Sequence, residues 1–238
     1  MLPPLIMACA TKASARLFPR ATLLGRSLKA FPEPVRPQLM LLEANTGPKA
    51  LGLSEFYNNV IERVGTEDAI LIFIHDDVYI HDWHLGARLV EALLHFDVVG
   101  VIGSTGVPDG QPGWWHGLDS LGQPRRNDNI VLSGSVNHFD PGQVRPNWYG
   151  ASPLACDLLD GLFLAVRVAS LRSTGLRFDP RFRFHCYDTD FCYSAKAAGL
   201  RLGTWPISLT HGSGGSFDQA WGNAARLLEM KWRVAWSQ

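Results

Sequence analysis

Residues 69–74, AILIFI, are six consecutive apolar residues that stop abruptly at His75-Asp76-Asp77. An apolar run this short, rich in isoleucine and without a polar face, reads as a strand covered on both sides by helices. That requirement constrains the fold more than any other feature, because it demands a layered α/β architecture. The acids at the strand's mouth sit next to low dielectric and need compensation, for which a metal ion is one candidate.

The flanking sequence repeats the theme. PLIMACAT (4–11) and VRPQLMLLEAN (35–45) read as strands, the second ending in Glu43 and Asn45, and DVVGVIGS reads as another. LSEFYNNVIERV (53–64) and HLGARLVEALLHF have helical spacing, the former with Ser54 as its N-cap. ARLFPRATLLGRSLKAF is helical in spacing, with a break or kink at Pro19. Strand alternating with helix implies a mostly parallel twisted sheet with helices on both faces, whose ligands bind beyond the carboxyl ends of the strands. Asp76, Asp77, Glu43 and Asn45 all belong to that edge.

Residues 104–155 are rich in Gly, Pro and Trp, with only NIVLSGSV resembling a strand, and a stretch so irregular is usually functional or disordered. The regular pattern resumes with CDLLDGLFLAVR, the helix-like DTDFCYSAKAAGL, LRLGTWPISLTH and an amphipathic helix around AWGNAARLLEMKW. The whole chain, 1–238, reads as one domain.

Lys plus Arg equal Asp plus Glu at 22 each, so no net field recruits nucleic acid or an anionic membrane. No apolar stretch reaches the ~18 residues a spanning helix needs. The four cysteines form no metal-type pair and are too few for a disulfide framework, which implies reduced thiols and a cytoplasmic protein. The opening MLPPLIMACATKASA lacks a basic start and reads as a first core strand rather than a leader.

Four segments in order, FIHDDV, LDGLFLAVR, YDTDFCYSAKAAGLRLG and LTHGSGGS, resemble the GT-A glycosyltransferases of the family 2 type. The subgroup most similar is the streptomycin-biosynthesis StrF-like domain, and the likeness runs from about Leu5 to Trp232. The resemblance implies a GT-A fold that moves a sugar from a nucleotide donor, a UDP- or dTDP-sugar, to a glycan, protein or small-molecule acceptor. It divides the domain into a nucleotide-sugar half, 1–103, and an acceptor and catalytic half, 104–238. The family's Asp-x-Asp motif falls on His75-Asp76-Asp77, with Asp77 as metal ligand and a histidine in the first place. Its Glu-Asp motif falls on Tyr187-Asp188, and Asp188 inherits the role of catalytic base. Asp160-Gly161 match an acceptor-side pair, and His211 a residue that completes the metal site. The donor side comprises Thr11, Glu43, Asn45, Asn58 and Asp76. The Gln-x-x-Arg-Trp motif of processive synthases is absent, with Lys231-Trp232 near its place.

Such a transfer builds charge on a departing diphosphate, which Mg²⁺ or Mn²⁺ held by carboxylate would neutralise; a histidine ligand favours Mn²⁺. The blander alternative has Asp76 and Asp77 capping a helix or pairing with Arg88. Asp188 sits at a helix start, where the dipole keeps it ionised, while Asp190 supports the turn or caps the helix. Trp114 and Trp115, with Trp148 and Tyr149, offer faces for sugar C–H groups or simply pin a long loop. Glu43 and Asn45 are candidates for nucleoside contacts or for ordinary surface hydrogen bonds. Two other functions fit the residues. His75, Asp76, His81, Asp82 and His84 suit a metal phosphohydrolase if they lie on helices. The exchanges at His75 and Tyr187 suit a binding domain without turnover.

Overall fold

The computed structural model describes residues 2–65, 68–140 and 143–235. Strand β1 (Leu5–Ala10) leads to the short helix α1 (Phe18–Ala21) and to α2 (Leu23–Ala30). Pro19 is accommodated in the first turn of α1, where a missing N–H costs nothing. The break comes instead at Thr22, whose backbone is extended and whose hydroxyl accepts the N–H of Gly25 at 3.0 Å to cap α2. Then follow β2 (Gln38–Leu42), α3 (Leu53–Arg63), β3 (Ile70–Ile74), β4 (Val78–Ile80) and α4 (Leu85–His95). Gly52, not Ser54, caps α3: the Glu55 carboxylate accepts the Gly52 N–H at 2.8 Å. The Ser54 hydroxyl is buried and donates to Phe182 O at 2.5 Å, binding α3 to a distant loop.

DVVGVIGS divides into β5 (Val98–Gly100) and β6 (Ile102–Thr105), which belong to different sheets. The segment 104–155 is more ordered than its composition suggests. It holds β7 (His116–Leu118), β8 (Pro124–Arg126), the long pair β9 (Val131–Asp140) and β10 (Gln143–Gly150), and β11 (Leu154–Cys156). Gly134 explains part of the disguise: at φ +92, with Val101 O where a side chain would start, only glycine can bring β9 against the neighbouring backbone. The rest of the chain forms β12 (Leu158–Leu159), β13 (Phe163–Arg167), α5 (Val168–Thr174), α6 (Tyr187–Ala197), β14 (Leu202–Thr204), β15 (Leu209–His211) and α7 (Gln219–Ala235).

Two sheets result. The larger has the order β11-β14-β5-β13-β3-β1-β2, the smaller β12-β6-β9-β15-β4, with β10 on β9. The pairs β1/β2, β1/β3 and β5/β14 are parallel, as alternation requires, while β13 inserts antiparallel between β3 and β5. Side chains of β3 alternate between two cores. Leu71 and Phe73 belong to the core that includes α3, α6 and α7, whereas Ile70, Ile72 and Ile74 belong to the core that includes α2 and α4. Phe73 sits among Tyr57, Phe178 and Phe191 with ring centroids 4.8 to 6.1 Å away. Truncating so buried a ring costs about 3–5 kcal/mol. All four cysteines are buried thiols, and no helix among the described residues is long and apolar enough to cross a membrane.

Candidate active site

Two of the points at which the chain crosses between the sheets lie side by side, and these build the site. One is His75-Asp76-Asp77, between β3 and β4; the other is Asp160-Gly161-Leu162, between β12 and β13. His75 N–H donates to Leu162 O at 3.2 Å, which fastens the two crossings together. Where strands leave their ladders, side chains are no longer committed to either core and are free to face a cleft.

Register supplies the third element. In β15, His211 lies opposite Val78 of β4 and beside His138 of β9, so it arrives next to Asp77. His211 Nε2 is 3.4 Å from Asp77 Oδ1, and His75 Nδ1 is 4.0 Å from the same oxygen. Ligand atoms of His75, Asp77 and His211 all lie within 4.8 Å of one another, close enough to share one cation. His75 is prepared for that role. Its Nε2 is 2.7 Å from the Tyr187 hydroxyl, which donates to Gly161 O at 3.0 Å. The phenol oxygen then accepts the Nε2–H, leaving a lone pair on Nδ1 toward Asp77. Burial lowers the pKa of His75, which favours that neutral form.

Asp77 is held well below the ordinary carboxylate range: burial opposes this, but hydrogen bonding and charge from His211, with His75 and Ser213, outweigh it. His211 is shifted upward; burial would lower it, and the Asp77 carboxylate overcomes that. Asp76 faces elsewhere, its Oδ2 accepting the Thr11 hydroxyl at 2.6 Å. Neither acid pairs with Arg88, which binds Asp82 at 3.1 Å. Asp76 and Asp77 line a cavity of about 330 Å³ with Thr22, Leu23, Phe139 and Gly212.

Asp188 lies in the first turn of α6, partly open to the cleft, and its Oδ2 accepts the Gly161 N–H at 2.8 Å. Gly161 has to be glycine. A Cβ there would collide with the Tyr187 hydroxyl and lie 2.8 Å from the Asp188 Cβ. The dipole does not keep Asp188 strongly acidic: burial, then the nearby Asp160 charge, push it up to about 7, beyond what its backbone hydrogen bonds recover. Nor is Asp190 a cap or a support of the turn. It is buried and takes Lys231 Nζ at 2.7 Å and Trp232 Nε1 at 2.8 Å, which anchors α7 to α6.

Two residues expected on the donor side are engaged by the backbone. The Asn45 amide is engaged in both directions by Leu51, donating to its O at 3.0 Å and accepting its N–H at 2.9 Å. Asn58 does the same to Phe178, at 2.8 and 2.9 Å, and braces α3 against that segment. Both side chains serve the backbone. Thr11 stays at the sheet edge, and Glu43 accepts the Ala15 N–H to close the loop after β1. Trp114 and Trp115 form a cluster with Tyr149, ring centroids 5.1 and 5.6 Å from it, while Trp148 is exposed.

Motif spacing did not assign His75, Ser213 or His138 to the cluster around Asp77 and His211. Ser213 lies two residues beyond His211 and its hydroxyl is 3.4 Å from His211 Nε2, a proximity visible in THGS. His138 sits beside His211 only through strand register, for which the sequence carries no local signal. The phosphohydrolase cluster does not assemble. His75 ends a strand, His81 bonds Thr210 Oγ1 at 2.7 Å and Asp82 is spent on Arg88.

No family model and no curated protein matches the sequence. Solved structures do match in shape. S. aureus TarS 1-349 superposes with a TM-score of 0.51 at 12% identity, covering 94% of this chain and 64% of that one. GalNAc-T7 with UDP, GalNAc and Mn²⁺ superposes with a TM-score of 0.50 at 9% identity, covering 94% of this chain and 48% of that one. This chain therefore spans about half to two thirds of the length of these structures. Its layered α/β architecture is the GT-A fold.

Proposed function

We propose that the chain is an inverting glycosyltransferase that moves a sugar from a nucleoside-diphosphate donor, a UDP- or dTDP-sugar, to an acceptor hydroxyl. The observation that carries this reading is the convergence of His75, Asp77 and His211 on one point, beside a carboxylate poised near neutrality. The fold it shares with GalNAc-T7, whose structure contains UDP, GalNAc and Mn²⁺, supports the reading. The three ligand atoms fit a divalent cation, Mn²⁺ more readily than Mg²⁺ given two imidazoles. When bound there, such a cation would supply the positive charge that a leaving diphosphate requires.

The chain's own residues supply the rest. Asp76 and Thr22 line the cavity on the donor side, Thr11 holds Asp76 through its hydroxyl, and Glu43 fixes the loop after β1. Asp188 accepts the proton of the acceptor hydroxyl as the new C–O bond forms and the bond to diphosphate breaks, inverting the anomeric centre. Gly161 aims that carboxylate through its N–H, and Asp160 raises its affinity for the proton to a useful level. Trp114, Trp115 and Tyr149 provide faces for the acceptor. In this scheme residues 1–103 are the donor half and 104–238 the acceptor half, with His211 returning to the donor side.

The test is a thermal-shift screen of UDP, dTDP and their sugars with and without Mn²⁺, followed by assay of nucleoside diphosphate release. The expected result is a cation-dependent shift and release, both lost in Asp77→Ala. Absence of any nucleotide response, or full activity in that variant, overturns the assignment. Tight donor binding with neither transfer nor hydrolysis across acceptors would instead identify a binding domain.

A further inference from the structure

A second cavity, of about 470 Å³, lies between the loop 108–112, the β7/β8 pair and the end of α7. Its volume is in the range of small-molecule sites. Arg125, Arg126 and Arg233 face it together with Asp109, Asp128 and Glu229, so its formal charges cancel. Its amides are set in advance: Asn127 donates to Gln111 Oε1 at 2.7 Å, and Gln111 donates to Gly113 O at 2.7 Å.

The lining selects a ligand by chemistry. A phosphate or carboxylate would meet Asp109 and Asp128, a cation would meet the arginines, and an apolar group would strip water from both. Hydroxyl groups donate and accept, and so satisfy guanidinium donors and carboxylate acceptors alike. Pro108, Pro112 and Leu118 add C–H surface for a sugar ring.

The cavity also adjoins the cleft. Pro112 O, on its wall, accepts the hydroxyl of Thr189, the residue after Asp188, at 3.2 Å. Arg126 lies over the Trp115 ring at 4.3 Å, and that ring meets Tyr149 at 5.6 Å. The Tyr149 phenol and His116 both lie within electrostatic reach of Asp160 and of Arg126. We infer that this cavity is an acceptor subsite for a neutral oligosaccharide, which runs from the Asp188 carboxylate past Tyr149 and Trp115 into the polar cavity. As an acceptor subsite it rests on the glycosyltransferase reading.

The experiment uses the full chain without donor or cation on an array of neutral linear oligosaccharides and their sulfated and phosphorylated counterparts. Titration calorimetry with the best neutral glycan follows. Neutral glycan is expected to bind, about tenfold or more weakly in Arg125→Ala and Asp128→Ala, both exposed positions. Gly117→Trp should block it by filling the cavity: a Cβ at Gly117 meets only Gln111 Oε1, at 3.9 Å, so the side chain can start there without a backbone clash. Retention of acidic glycans alone, retention of none, or affinity unchanged in all three variants overturns the inference. The same preparations receive UDP and Mn²⁺ in a thermal-shift assay. Glycan binding without a UDP response would leave a carbohydrate site and remove the transferase reading. A UDP response without glycan binding would remove the subsite alone.

Discussion

Helix α6 carries two carboxylates two residues apart, and its two sides treat them in opposite ways. Asp190 is fully buried, but it is met by the Lys231 ammonium and the Trp232 indole. Lys231 also reaches Asp179 at 2.9 Å, and Asp179 binds Arg181 as well. On the other side Asp188 faces Asp160 across Gly161, and no Lys or Arg among the described residues pairs with either. Charge is matched where α7 must be held to the body. It is left unmatched at the seam, where a substrate can bring a proton. Unmatched charge next to the cleft, rather than burial alone, separates the candidate base from the scaffold acid.

The largest expected effect breaks the seam side of this comparison. Asp188→Asn should lower transfer about a thousandfold while leaving the UDP thermal shift intact. The same variant should melt at a higher temperature than the parent at pH 8. Asp188 in the folded chain titrates at about 7, above its unfolded value. Its ionisation therefore erodes stability as pH rises from the ordinary carboxylate range to about 7, and the neutral amide avoids this. An unchanged melting temperature would mean that the carboxylate is not strained.

On the scaffold side, Lys231→Ala strands Asp190 without its cation and should cost about 3 kcal/mol in urea unfolding. Turnover per folded molecule should survive, and the deficit should shrink at low pH as Asp190 takes up a proton. The pH profile sharpens the distinction further. Transfer should rise about tenfold per pH unit up to about 7 and level off above it, because the base must be ionised. Asp160→Asn should move that midpoint downward by removing a like charge, measured as kcat against pH. The smallest effect is a control. Arg201 and Asp97 form a surface pair at 3.0 Å, so Arg201→Ala should leave both urea unfolding and activity nearly unchanged.

Much of the donor-side layer is legible in the chain. AILIFI and PLIMACA are short apolar runs between amphipathic segments, and burial on both faces is recorded directly in such composition; QLMLL reads as a strand in the same way but lies half-buried at the sheet's edge. Gly161 and Asp188 also stand in readable order. Of the pair β9/β10 only the start of β9, in NIVLSGSV, was legible; its continuation and all of β10 were not, because Gly134 and Pro146 are poor strand formers that backbone pairing nevertheless holds. The roles of Asn45 and Asn58 were equally hidden. Only the coordinates reveal which backbone groups had already claimed their amides.

By itself the sequence determined that strands are sandwiched between helix layers and that acids end one of them, since local hydrophobicity decides both. Only tertiary structure decided which histidines reach those acids. His75, His138 and His211 are far apart in the chain and meet through sheet crossing and strand register. Those are non-local hydrogen-bonding choices, made by the pairing of whole strands, and no short stretch of residues encodes them.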